Sequence, residues 1–238
     1  MLMETLQKAF DEMNIPYDNS VIHKFEEYME MLLDWNEKIN LTAITDKEEF
    51  IKKHYIDSVL CYSFPEMRKA KKIIDVGTGG GFPGIPLALL YPEKQFVLMD
   101  SLKKRLNIID DLANQLGILN VKTLHGRAED LARSKEHREN YNCCVSRAVA
   151  NLATLSEYCL PFIKNGGSFL AYKSIRAEEE IKAAQKSIFL LGGKISREEK
   201  VILPVYDLDH NIVIIDKISN TSAKYPRKAG TPSKEPLK

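Results

Sequence analysis

The chain has 238 residues, of which 44% are hydrophobic and 28% are charged, and its formal net charge is +1. This composition is typical of a globular protein that is long enough to bury a sizeable core. The nearly neutral net charge does not by itself indicate a polyanionic partner, although a local basic patch can still bind one.

Signals for export, membrane insertion and metal binding are missing from the sequence. The first ten residues carry an acid at Glu4 and have no long apolar run, so we expect no signal peptide. No segment approaches the roughly 18 consecutive apolar residues of a membrane span. The cysteines form no CxxC pair and the histidines show no paired spacing; the cysteines are Cys61, Cys143, Cys144 and Cys159. We predict a cytoplasmic protein with reduced, mostly buried thiols and no metal site.

The first 70 residues have the pattern of helices. Apolar side chains recur at helical spacing from Val21 to Leu33, and Thr45-Asp-Lys-Glu48 has the form of a capping box that opens a further helix. We therefore predict a helical N-terminal portion over residues 1–70. Its single tryptophan, Trp35, could stack on a base, but more often such a residue anchors helix packing.

From Lys71 the pattern changes to short apolar runs that alternate with helical stretches. The predicted strands are Ile73–Val76, Phe96–Met99, Val121–Leu124, Cys143–Val145, Ser168–Tyr172, and a closing pair, Val201–Leu203 and Ile212–Ile215, with Asp207–Asn211 between them. The predicted helices are Leu87–Tyr91, Lys103–Leu116, Ala128–Arg133, Asn151–Phe162 and Glu178–Leu191. This alternation predicts an α/β domain over residues 71–219, with a mostly parallel, Rossmann-like sheet and one antiparallel strand. Residues 220–238 carry five basic residues and one acid, and we predict a basic C-terminal tail.

A glycine-rich loop follows the first predicted strand. Five of the 12 glycines fall within eight positions: Gly77, Gly79, Gly80, Gly81 and Gly84. A strand that runs through glycines into a helix is typical of a nucleotide site. Asp75 at the strand tip would repel a pyrophosphate but suits the sulfonium and ammonium groups of S-adenosylmethionine. The spacing Gly79-x-Gly81-x-x-Gly84 keeps open the alternative of a dinucleotide site in an NAD-dependent oxidoreductase.

The ends of the next three strands carry the other candidate site residues. Asp100 follows Gly77 by 23 positions and could accept hydrogen bonds from both ribose hydroxyls, or could cap a helix. The backbone at Ala128 and Glu129 could read the adenine edge, or simply start a helix. Arg147 ends the fourth strand, where it faces substrate or cofactor unless it forms a surface ion pair.

Six segments together resemble one known family, the bacterial 16S ribosomal RNA guanine-N7 methyltransferases, also called glucose-inhibited division protein B. The resemblance covers nearly the whole chain and rests on residues 35–42, 75–84, 100–105, 126–129, 146–150 and 224–232. It implies a class I S-adenosylmethionine-dependent methyltransferase fold with a seven-stranded sheet behind the helical portion. It also implies methyl transfer to N7 of a guanine in the decoding region of small-subunit ribosomal RNA. Cofactor contacts are implied at Gly77, Phe82, Ala128, Glu129 and Arg147, with Asp100 as the ribose acid; Asp75 and Gly79 complete the predicted site.

Methylation of guanine N7 needs none of the catalytic motifs of other RNA methyltransferases that are missing from the sequence. N7 has an in-plane lone pair and no proton, so we expect no general base and name no catalytic residue. No Pro-Cys pair is present for pyrimidine C5 methylation, and Ser146-Arg-Ala-Val149 stands where an amino-group methyltransferase carries Asn/Asp-Pro-Pro. We expect a monomer that binds 16S ribosomal RNA, or the small subunit, through local basic residues. The candidates are Lys103, Lys104, Arg105, Arg127, Lys173, Lys224, Arg227 and Lys228. A non-catalytic RNA-binding protein on the same fold is a further alternative.

Overall fold

The N-terminal portion consists of helices. The computed structural model describes residues 2–147, 150–175, 177–206 and 208–237. Its first helices are α1 (Glu4–Glu12), α2 (Asn19–Asn36), α3 (Lys47–Phe50), which continues as a π-helical segment (Ile51–Ile56), and α4 (Pro65–Lys69). None of the helices in the described ranges is long and apolar enough to cross a membrane.

The start of α3 differs by one residue from the predicted capping box. Asp46, rather than Thr45, occupies the N-cap, and its carboxylate accepts a hydrogen bond from the Glu49 amide at 2.9 Å. An aspartate is at least as good an N-cap as a threonine, and it also carries a charge that favours the helix N-terminus. The predicted helix is therefore present, but its first residue is Lys47.

Seven strands form one sheet in the order β3-β2-β1-β4-β5-β7-β6. The strands are β1 (Lys72–Val76), β2 (Gln95–Asp100), β3 (Val121–His125), β4 (Tyr141–Arg147), β5 (Ile163–Ser174), β6 (Gly193–Leu203) and β7 (Leu208–Lys217). The first five are parallel, and β7 runs antiparallel to both of its neighbours. The predicted mostly parallel sheet with one antiparallel strand is confirmed.

Helices connect the parallel strands on both faces of the sheet. They are α5 (Gly84–Leu90), α6 (Lys103–Gln115), α7 (Ala128–Leu131), α8 (Leu152–Cys159) and α9 (Glu178–Leu190), with short 3₁₀ turns at Leu160–Phe162 and Pro204–Tyr206. Gly117 adopts a φ of +62° just after α6, a conformation that commonly ends a helix.

The closing strands are longer than the sequence predicted. Strand β6 alternates buried or half-buried residues with exposed ones along most of its length, and much of it is polar, so it lacks the continuous apolar run of a central strand. Residues 208–211, predicted as a loop, belong to β7, where His210 and Asn211 pair with β5. Asp207 lies outside the described residues, as do Ala148 and Val149 of the segment after β4.

Alternate residues of the central strands point into two apolar clusters, one on each face of the sheet. Ile73 and Cys143 face a cluster that includes Phe25 and Tyr55 of the N-terminal helices, whereas Ile74 and Cys144 face α8 and α9. The N-terminal portion therefore shares a continuous core with one face of the sheet. All four cysteines are buried, without disulfides, as predicted.

The segment predicted as a basic tail packs against the sheet domain. We call residues 221–237 the C-terminal strap. Tyr225 and Pro232 of the strap are buried, and a short helix, α10 (Thr231–Lys234), ends close to α8. The strap is thus part of the folded protein, a role that its polar composition did not indicate.

Candidate functional site

A cleft of about 540 Å³ opens at the carboxyl edge of the parallel strands. Its walls are the residues that follow β1, β2 and β3, together with the end of β4 and part of the strap. They comprise Val76, Gly77, Met99, Asp100, Ser101, Leu102, Arg105, Gly126, Arg127, Ala128, Glu129, Arg147, Tyr158, Gly230 and Ser233. The cleft lies where the strand order reverses between β1 and β4, which is the usual ligand position in open α/β sheets.

The glycine loop leaves β1 in a conformation that needs glycine. Gly77 and Gly79 have φ angles of +79° and +60°, in the left-handed region. The amides of Gly77 and Thr78 both donate to the Met99 carbonyl, at 2.8 and 3.0 Å, which ties the loop to the end of β2. Gly77 lines the cleft, so the front of the loop faces it, while the predicted cofactor contact of Gly77 stays a prediction.

The back of the same loop is crowded by the protein itself. A Cβ on Gly84 would lie 2.1 Å from Leu98 Cδ2, and one on Gly81 would lie 2.5 Å from the Tyr28 hydroxyl oxygen. These two glycines are required because α5 packs closely on β2 and α2 packs closely on the loop. The sequence argument assigned the whole glycine cluster to a ligand, whereas part of it is required by internal packing.

Asp75 lies behind the loop. Its side chain is fully buried, and its Oδ2 accepts hydrogen bonds from the Thr78 hydroxyl at 2.7 Å and from the Gly84 amide at 2.9 Å. Its Oδ1 is buried without a hydrogen-bond partner among the described residues, and burial raises the pKa of this carboxyl to about 7. Asp75 stabilises the loop through these hydrogen bonds and is absent from the cleft walls. Its contact with S-adenosylmethionine stays a prediction.

Asp100 stands at the edge of the cleft and links two elements. Its Oδ2 accepts from the Gly79 amide at 3.0 Å and its Oδ1 from the Leu102 amide at 2.8 Å, near the start of α6. The sequence offered two alternatives for this acid, a ribose contact or a helix cap. A carboxylate has about four lone-pair positions, so Asp100 keeps two for a ligand's hydroxyls.

Ala128 and Glu129 begin α7 at the end of the cleft beyond β3, where they were predicted to lie. The Glu129 side chain is buried, and its Oε1 accepts a hydrogen bond from the Gly230 amide of the strap at 2.8 Å. The sequence gave no sign of this contact, because Gly230 lies 101 positions further along the chain.

Arg147 reaches the cleft from the end of β4 and is held by the π-helical segment and the residue after it. Its guanidinium donates to the Lys53 carbonyl at 3.0 Å, lies 3.2 Å from His54 Nδ1 and forms an ion pair with the Asp57 carboxylate. Burial, together with the charge of Arg147, lowers the pKa of His54 to about 3, so this imidazole is neutral and can accept. π-Helical turns occur frequently at functional sites.

Phe82 lies behind Arg147 rather than in the cleft wall. Its ring is buried and stacks on His54 with centroids 4.3 Å apart and an interplanar angle of 4°. A direct cofactor contact of Phe82 therefore stays a prediction. Sequence reasoning missed His54 and Asp57, although their spacing places a ring and a carboxylate about one helical turn apart.

The predicted RNA-binding residues divide into two groups. Arg105 and Arg127 line the cleft, Lys103 and Lys104 are exposed just before Arg105, and Lys224 and Lys228 are exposed on the strap. The other two are engaged in ion pairs within the protein and are left out of the RNA surface proposed below. Lys173 is 9% exposed and donates to the Ala150 carbonyl at 2.6 Å and to Glu180 at 2.6 Å. Arg227 forms an ion pair with the fully buried Glu157.

Trp35 is partly buried and packs against the core, which agrees with a role in helix packing.

Comparison with known sequences gives one consistent family. A family model described as rRNA small subunit methyltransferase G (GidB) matches residues 21–203. A protein named ribosomal RNA small subunit methyltransferase G from Clostridium novyi (strain NT) is 51% identical over 234 residues, covering 98% of this chain and 96% of its own. One of the same name from Clostridium tetani (strain Massachusetts / E88) is 49% identical over 235 residues, covering 99% and 98%.

Solved structures share the fold at low sequence identity. An O-methyltransferase from Bacillus cereus in complex with SAH has a TM-score of 0.58 and 17% identity, covering 91% of this chain and all of that one. The fibrillarin pre-rRNA processing protein of Methanococcus jannaschii has a TM-score of 0.55 and 14% identity, covering 71% and 77%. These similarities confirm the class I methyltransferase fold. With the family match and the near full-length relatives, they establish that the chain belongs to the rRNA small subunit methyltransferase G family.

Proposed function

We propose that the protein transfers a methyl group from S-adenosylmethionine to N7 of a guanine in 16S ribosomal RNA. The observation that carries this proposal is the cleft at the carboxyl edge of β1 to β4, in a chain that matches its family over nearly its whole length. The cleft has the volume of a small-molecule site, which is typically 300–1,000 Å³.

The residues of the cleft fit S-adenosylmethionine. Gly77 lets the backbone approach closely, and Asp100 keeps acceptor capacity for two hydroxyl groups. Ala128 lines the far end, and the guanidinium of Arg147 can pair with a carboxylate. When bound, S-adenosylmethionine supplies a methyl group on a positively charged sulfur.

The cleft walls suit a reaction that needs no proton acceptor. The described residues that line the cleft include no histidine, lysine or cysteine; Glu129 accepts the Gly230 amide, and the remaining acceptor capacity of Asp100 is assigned above to ligand hydroxyls. Guanine N7 brings its own lone pair, so these residues need only to bind and orient the two reactants. Orientation alone can lower a barrier by roughly 7–11 kcal/mol.

The start of α6 supports an RNA surface beside the cleft. Lys103, Lys104 and Arg105 occupy its first turn, where the helix dipole disfavours positive charge by about 0.3–1 kcal/mol per residue. A bound phosphate backbone would offset this cost. We propose that these residues, with Arg127, Lys224 and Lys228, contact the RNA and bring the guanine to the cleft.

The test is to map N7-methylguanosine by borohydride–aniline cleavage of ribosomal RNA from a strain with and without the gene. The expected result is one cleavage in 16S RNA that disappears without the protein and returns when the purified protein and S-adenosylmethionine are added. RNA binding without methyl transfer would instead support a non-catalytic role. Binding of NAD with no binding of S-adenosylhomocysteine would overturn the proposal in favour of an oxidoreductase.

A further inference from the structure

The C-terminal strap is anchored along its whole length. Arg138 donates to the carbonyls of Thr221 at 2.7 Å and Tyr225 at 2.9 Å, and Arg133 donates to that of Pro226 at 2.5 Å. The buried Tyr225 lies in the core cluster of α8 and α9. These contacts fix the strap as far as residue 226 on the surface next to α7.

Two buried polar groups of α8 hold the second half of the strap. Glu157 is fully buried and accepts from both the backbone amide and the guanidinium of Arg227, at 2.7 Å each. The Thr154 hydroxyl donates to the Pro232 carbonyl at 2.9 Å. A buried carboxylate that loses its partner is strongly destabilising, so Glu157 favours the docked strap.

The strap reaches the cleft close to these two anchors. The Gly230 amide donates to Glu129 Oε1 at 2.8 Å, and both Gly230 and Ser233 line the cleft together with Ala128 and Tyr158. Gly230 has a φ of +84°, which turns the chain into α10 and brings Ser233 to the cleft wall. The strap therefore borders the part of the cleft that follows β3.

We propose that the C-terminal strap is part of the donor-binding site, where Gly230 and Ser233 form one wall and Glu129 joins the strap to α7. This inference rests on the proposed function, since it takes the cleft to be the site of S-adenosylmethionine. The strap would then have a second role besides RNA binding, because Gly230 and Ser233 form part of the donor site. Lys224 and Lys228 stay exposed on the same segment.

The test measures S-adenosylhomocysteine binding by titration calorimetry on two variants of α10. Ser233→Trp places a large ring at the cleft wall. Lys234→Trp places the same ring one position further on, at an exposed residue that does not line the cleft. We expect Ser233→Trp to weaken binding at least tenfold and Lys234→Trp to change it less than twofold, with both unfolding temperatures close to that of the wild type.

Wild-type affinity in a folded Ser233→Trp variant would overturn the inference. If Ser233→Trp does not fold, hydrogen exchange on the wild type decides: we expect S-adenosylhomocysteine to slow exchange of the Gly230 amide, and unchanged exchange would overturn the inference. A wild-type protein that does not bind S-adenosylhomocysteine would instead contradict the proposed function, so the two failures are distinguishable.

Discussion

Asp57 and Arg147 lie 90 positions apart in the sequence and form an ion pair at the rim of the cleft. Asp57 is 3% exposed, and its position directly after the π-helical segment aims its carboxylate at the end of β4. His210 Nδ1 lies 3.1 Å from the other carboxylate oxygen, without the geometry of a hydrogen bond. The N-terminal helices therefore fix the direction in which Arg147 points.

Asp57→Asn should lower methyl transfer about tenfold, which corresponds to ~1.4 kcal/mol in the barrier. The amide keeps the shape of the carboxylate but loses the charge that holds the guanidinium of Arg147. Single-turnover transfer to 16S ribosomal RNA measures the effect. His210→Gln is the matched control, because it changes the other neighbour of Asp57 and should leave the rate within twofold. Equal rates for Asp57→Asn and the wild type would contradict this role.

Two glycines of the loop should differ in their effect on stability. Gly84→Ala places a methyl group 2.1 Å from Leu98 Cδ2 and should lower the free energy of unfolding by about 3 kcal/mol. Gly79→Ala has no heavy atom within 4 Å of the new methyl group and should cost only about 1 kcal/mol, from its φ of +60°. Urea denaturation of both variants measures the difference. Equal losses in the free energy of unfolding would contradict the inference that close packing requires glycine at position 84.

The buried Asp75 should make stability depend on pH. The pKa of Asp75 is raised from 3.8 to about 7. The contribution of its protonated carboxyl to the free energy of unfolding is therefore fully present below pH 3.8 and is lost as the pH rises through about 7. Asp75→Asn keeps the acceptor for Thr78 and Gly84 and removes this titration. Relative to the wild type, we therefore expect the variant to gain stability between pH 5 and pH 8, measured by urea denaturation across that range.

His54 is a control for this measurement, because its pKa is shifted in the opposite direction from that of Asp75 and its contribution to stability should depend on pH with the opposite sign. Its pKa is lowered from 6.5 to about 3, so its contribution is present above pH 6.5 and is lost as the pH falls toward 3. His54→Gln should therefore gain stability relative to the wild type as the pH falls from 7 to 5. A difference with the same sign for both variants would contradict the assignment of the two groups.

The first turn of α6 should contribute to the salt dependence of RNA binding. Replacing Lys103 and Lys104 by alanine should reduce the log–log slope of affinity against salt by about 1–2, as expected for the loss of two phosphate contacts. The control replaces Lys182 and Lys186, which are exposed on α9, and should leave the slope unchanged. Filter binding to a 16S fragment from 50 to 200 mM salt gives both slopes, and equal slopes would contradict the proposed surface.

The sequence predicted all seven strands because each contains a short apolar run, although β5, β6 and β7 extend to 12, 11 and 10 residues. It predicted the positions of Asp100, Glu129 and Arg147 because strand ends of a parallel sheet meet at one edge. It could not predict their partners, since Asp57, Gly230 and Gly79 reach them through long-range packing. Composition predicted too short a β6, because that strand is largely polar, and it contained no sign that the predicted basic tail contacts α8.

The docking of the strap also has a consequence for synthesis. The strap follows every strand of the sheet in sequence, so it leaves the ribosome after them. Until then Glu157 and Glu129 have no strap to bind, and one wall of the cleft is missing. The strands can therefore pair before the strap docks, and the cleft gains Gly230 and Ser233 as wall residues only after residue 233 has emerged from the exit tunnel.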